Sequence, residues 1–96
     1  MNTITVDAPL DEATLEDVFA AEELRITLKS TLIKYPGCVH WHLKLGKETG
    51  TLEATLWQGR CWFSMSMGRM TLWLEPCAER MKQYLEAEYE RNASHS

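Results

Sequence analysis

Cys38, His40 and His42 recur at every second position, and a thiolate, two imidazoles and the nearby carboxylate of Glu53 are all donors that a zinc-class ion accepts. Alternate side chains of an extended strand share one face, so the three would stand in a row there. Same-face neighbours lie about 6.6–7 Å apart at the backbone, which spreads such donors too widely to surround one ion unless the strand bends. The residues therefore favour a polar histidine pair with Glu53 as ion-pair partner across the sheet, and no metal or cofactor is expected. A metal or small-ligand site on Cys38, His40, His42 and Glu53 is the alternative. A nucleophilic cysteine would be Cys38 beside His40, or Cys77 near a helix N-terminus where a thiol pKa tends to fall. Neither has an identifiable third group to orient a base, and Cys61 and Cys77 fall on apolar stripes. The chain is read as non-enzymatic, with no catalytic residue assigned.

The tryptophans carry the other chemistry. Trp57, Trp62 and Trp73 fall on the polar side of the alternation, where an indole left in water forgoes a large burial gain. Several on one face imply that something covers them. Flanked by Arg60, His40 and His42, they have the composition of interface anchors, and the expected role is a protein-interaction or assembly module. The expected partner is another protein or a second copy in a homodimer. Coverage by the chain's own N-terminal helices is the competing explanation. A single-stranded nucleic-acid surface also uses aromatics with Arg and Lys. The net charge of −4 and the lack of an RNP-like pattern disfavour it.

These residues must be positioned by a sheet. Val39, Trp41, Leu43 and Leu45 alternate with His40, His42 and Lys44, and Leu52, Ala54 and Leu56 alternate with Glu53, Thr55 and Trp57. Cys61, Phe63, Met65 and Met67 alternate with Trp62, Ser64 and Ser66, and Met70, Leu72 and Leu74 with Thr71 and Trp73. Turns at Gln58-Gly59 and Gly68-Arg69 join these runs in one register, since a slip by one residue would turn apolar side chains outward. The predicted architecture is α+β: a four-stranded antiparallel meander at about 39–45, 50–57, 60–67 and 70–74, with a helical segment before it and a helix at about 76–91 after it. The outer face then shows the rows Cys38–Trp57–Arg60, His40–Thr55–Trp62 and His42–Glu53–Ser64–Trp73.

Asp11 is a good N-cap for the first helix, with Leu10 and Leu15 placed as a hydrophobic staple. Its apolar stripe is lost near Ala20–Glu22, where a break is expected. Segment 24–32 has Leu24, Ile26, Leu28 and Leu32 at even spacing; periodicity alone does not fix its type, and helix is preferred. Tyr35-Pro36-Gly37-Cys38 reads as a type II turn. In the C-terminal helix Pro76 takes the first position, and Cys77, Met81, Tyr84, Leu85 and Tyr89 form the buried stripe. The helices are expected mainly on the Val39, Trp41 and Phe63 side.

Ninety-six residues with 45% hydrophobic content suit one domain over 1–96, with 1–10 flexible and 92–96 frayed. Three cysteines without paired spacing predict reduced thiols and a cytoplasmic setting. The first residues have neither the basic nor the apolar region of a signal peptide, and no run is long enough to span a membrane. Residues 1–24 hold seven acids and no Lys or Arg, whereas 25–72 hold seven bases against Glu48 and Glu53. An acidic arm beside a basic middle suggests self-masking or an acidic partner.

Overall fold

The computed structural model describes residues 2–65 and 72–93. Its elements run β1 (Asn2–Val6), α1 (Glu12–Ala21), β2 (Leu24–Leu32), β3 (Tyr35–Leu45), β4 (Leu52–Trp57), β5 (Arg60–Met65) and α2 (Leu74–Ala93). The α+β class and both helices are as expected, but the sheet has five strands in the order β1-β5-β4-β3-β2, every pairing antiparallel.

The central register matches the alternation. His40 pairs with Thr55 and Thr55 with Trp62; His42 pairs with Glu53 and Glu53 with Ser64; Trp57 pairs with Arg60 across the Gln58-Gly59 turn. That turn holds both central residues at positive φ, 52° and 78°, the twist a tight hairpin needs. The opposite face carries Trp41, Leu43, Leu52, Ala54, Cys61, Phe63 and Met65, all fully buried. Leu15, Val18 and Phe19 of α1 and Leu74, Cys77, Ala78, Met81 and Leu85 of α2 complete one contiguous core with them. Both helices therefore lie on the Trp41 and Phe63 side, and the explanation in which they cover the outer tryptophans fails.

Tyr84 and Tyr89, expected in the buried stripe of the C-terminal helix, are instead 54% and 46% exposed, and four further expectations change. Residues 2–6, expected as a flexible terminus, form a strand: Ile4 and Val6 alternate inward beside Phe63 and Cys61, and β1 completes an edge of the sheet. Segment 24–32 is a strand and not a helix. Its four aliphatics at even spacing suit a pleat, but Thr27 is an extra residue that changes their phase. Ile26 pairs with Leu43 on the core side, while Leu28 pairs with His42 on the outer side. The Thr27 hydroxyl donates to the His42 carbonyl at 3.2 Å, which occupies a group the bulge disturbs.

The chain reverses at Ile33-Lys34 and not at Pro36-Gly37, because Leu32 pairs with Tyr35. Pro36 and Gly37 instead lie in a second irregularity, between the Leu32–Tyr35 and Ser30–His40 pairs; Pro has no N–H to give the ladder, and Gly37 supplies φ 85°. Finally, the strand expected at 70–74 does not cover its last residues. Leu72 and Trp73 form a turn, and Leu74 opens α2, two residues before the expected start. Pro76 still sits in the first turn, where its missing N–H costs nothing. Residues 66–71, with the Gly68-Arg69 turn, and residues 94–96 lie outside the described residues; Asn92 and Ala93 are helical.

α1 begins as its sequence requires, with the Asp11 carboxylate accepting from the Thr14 N–H at 2.8 Å. It is pinned over β2 and β3: Lys29 bridges Glu12 and Glu16, and Glu16 also accepts from the buried Trp41 indole at 2.9 Å. Phe19 meets the Trp41 ring edge-on, centroids 5.2 Å apart. α2 is tied to β1 by Lys82, which donates to the Thr5 carbonyl at 3.2 Å, and by Glu86, which accepts from the Asp7 N–H at 2.7 Å.

Candidate functional site: an aromatic and histidine face

Strands β3, β4 and β5 present the outer face, and their pairing sets its two groups side by side. The first is aromatic. Trp57 and Trp62 stand at the expected positions, half-buried. Tyr35 joins them, its ring centroid 5.0 Å from Trp57 and 5.1 Å from Trp62. The Pro36-Gly37 irregularity directly follows Tyr35, and the Trp57 indole donates to the Pro36 carbonyl at 3.0 Å, fixing strand and ring together. Lys34, in the turn, lies 5.6 Å from the Tyr35 ring centroid, a cation–π geometry.

The second group is polar. His40 is 6% exposed, and its Nδ1 lies 2.9 Å from the Thr55 hydroxyl while its Nε2 lies 3.1 Å from Glu53 Oε1. His42 Nε2 is 3.6 Å from the same carboxylate oxygen, and the two imidazole rings meet edge-on with centroids 5.1 Å apart. One carboxylate thus faces two histidines, and the donor atoms of all three residues fall within 4.8 Å of one another.

The paired rows of this face carry mostly positive charge, although Asp7, next after the Val6–Cys61 pair, lies with Arg60 at the rim. Arg25 and Lys44 pair with each other on this face and Arg60 lies beside Trp57, so three cations border a surface whose paired rows hold one carboxylate, Glu53, itself engaged by the histidines. The helical layer opposite is acidic. Glu12, Glu16 and Asp17 lie on α1, and Glu75, Glu79, Glu86, Glu88 and Glu90 lie on α2.

Of the residues singled out in the sequence, Trp57, Trp62, Arg60, His40 and His42 come together here with Glu53. Trp73 does not. It is half-buried against the core and donates its indole N–H to the Thr49 carbonyl at 2.8 Å, because the chain turns into α2 where a strand was expected. Cys38 also leaves the polar group: it is buried, and its Sγ accepts from the Leu32 N–H at 3.2 Å. Leu28 and Tyr35 were missed. Leu28, 45% exposed, reaches this face only through the Thr27 bulge, and Tyr35 was hidden by a turn reading of the proline that follows it.

The remaining cysteines are chemically quiet. Burial pushes the Cys61 thiol up to about 12. Burial, followed by the charge of Glu22, pushes Cys77 up to about 11. A thiol so held is a poor nucleophile at neutral pH.

Compared with family models, curated proteins and solved structures, the chain matches none.

Proposed function

We propose that this chain is a protein-interaction module that docks an acidic, apolar-bearing segment of another protein on its outer sheet face. The observation that carries this reading is the Tyr35–Trp57–Trp62 cluster on the face opposite both helices. Rigid aromatics give a large contact area for little conformational entropy, which is why they anchor interfaces. The partner's chemistry follows from the border of Arg25, Lys44 and Arg60. Two copies meeting through this face would set those cations against one another, whereas an acidic segment would be steered toward them. Three buried free thiols favour a reducing, cytoplasmic setting. Among the described residues no helix is long and apolar enough to cross a membrane.

The test is selection from a peptide library in which Asp and Glu are interspersed with Leu and Phe, against a library of the same apolar content carrying Lys and Arg. Acidic peptides should be retained, and Trp57→Ala or Arg60→Glu should weaken them at least about tenfold, the effect of losing an anchor worth over 1 kcal/mol. Urea titration of each variant checks folding. Equal retention of both libraries would overturn the reading. So would a concentration-dependent dimer that Trp62→Ala dissociates, or salt-sensitive binding of an oligothymidine strand in place of peptide.

A further inference from the structure

We infer that His40, His42 and Glu53 form a binding site for a divalent transition-metal ion of the zinc class. The inference is independent of the docking reading, because it rests on donor geometry alone. Tetrahedral zinc with bonds of about 2.0–2.1 Å holds its donors about 3.3 Å apart. Here Glu53 Oε1 lies 3.1 Å from His40 Nε2 and 3.6 Å from His42 Nε2, so two edges of such a tetrahedron already exist. The whole set lies within 4.8 Å, and small rotations of His42, whose side chain is 35% exposed, would close the remaining gap. The objection that same-face strand residues lie too far apart is met by the ring tilt, since the imidazoles converge edge-on.

A second observation points the same way. A histidine that ligates through Nε2 must carry its proton on Nδ1, and such ligands are held by an acceptor for that proton. His40 has one, the Thr55 hydroxyl at 2.9 Å, buried beneath the face. A hydroxyl both donates and accepts, so it serves the metal-free ring, whose Nε2–H is directed at Glu53, and the ligating ring, whose Nδ1–H would turn to it. Two imidazoles and a carboxylate suit zinc, with copper and nickel as stronger competitors and calcium or magnesium excluded by the nitrogen donors. Three protein donors leave a fourth position for water.

The experiment titrates the purified chain with Co2+, reading the visible absorption of tetrahedral cobalt, and then displaces it with Zn2+. One equivalent should bind, without a thiolate-to-cobalt charge-transfer band. His42→Gln and Glu53→Gln, both at partly exposed side chains, should each weaken binding by at least about tenfold. Thr55→Val should weaken it by a similar factor and Thr55→Ser should restore it, a rescue that mere packing would not produce. Trp57→Ala should leave metal binding unchanged, which separates this site from peptide docking. Absence of saturable binding, wild-type affinity in the two ligand variants, or a thiolate band would each overturn the assignment.

Discussion

Among single residues, the cysteines show how far identity falls short of chemistry. Cys77 lies at the start of α2, a position that favours a thiolate, yet it packs into the core with its Sγ 3.8 Å from the Glu22 carboxylate. Burial and a nearby anion both oppose ionisation, and a pKa of about 11 in place of 9.0 leaves Cys77 with about one hundredth of the ordinary thiolate at neutral pH. Alkylation by iodoacetamide should therefore be slower by at least that factor in the folded chain than in urea, for Cys61 as for Cys77. Mass mapping of the modified sites reads this directly; rapid labelling of Cys77 under native conditions would show that the helix start exposes it. The same local view explains which aromatics the sequence placed. Trp41 and Trp62 sit inside strands whose alternation continues on both sides, and Trp57 closes β4 in the register of its hairpin, so parity assigns their faces. Trp73 lies in the turn that leads into α2, and there parity has no meaning.

At the level of elements, those with strong local signals were readable and those decided by long-range pairing were not. α1 has its cap, its acids and its break within its own sequence. The break is visible in the backbone: Glu23 sits at φ 60°, the left-handed conformation that ends many helices and that glycine adopts without strain. Glu23→Gly should therefore stabilise the chain by about 0.5–1 kcal/mol, the left-handed penalty less the entropy glycine loses. Asp11→Ala should lower the urea midpoint, since the Thr14 N–H then loses its acceptor. The two shifts should be opposite in sign, and a double variant should show their sum because the residues share no partner. β2 offers no comparable signal. Its residues alternate, but the Thr27 bulge makes that alternation serve two faces in turn, and only pairing with β3 reveals it. β1 was equally hidden: five residues of alternating burial become a strand only because the edge of β5 is open to them.

At the scale of the whole molecule, charge joins the two layers. Lys29 reaches from β2 to Glu12 and Glu16 of α1, Arg80 of α2 bridges Glu22 at the end of α1, and Glu86 of α2 accepts from Lys82 and from the Asp7 N–H beyond β1. The carboxylates bear the mark of these contacts. Hydrogen bonds from Lys29 and then the Trp41 indole lower the Glu16 pKa below its usual 4.5, and Lys82 followed by the Asp7 N–H lowers that of Glu86. A group whose folded pKa lies below its unfolded value binds its proton more weakly when folded. It thus contributes stability that is fully present above about pH 4.5 and drains away as pH falls through the folded pKa. Stability by urea titration should therefore hold near neutrality and decline below that point. The decline should shrink when Glu16 and Glu86 are both replaced by Gln, because the neutral amides no longer gain from being unprotonated. Each contact is partly open to water and worth little alone, so the paired replacement is the informative one. An undiminished acid loss in the double variant would mean that other carboxylates hold the helical layer to the sheet.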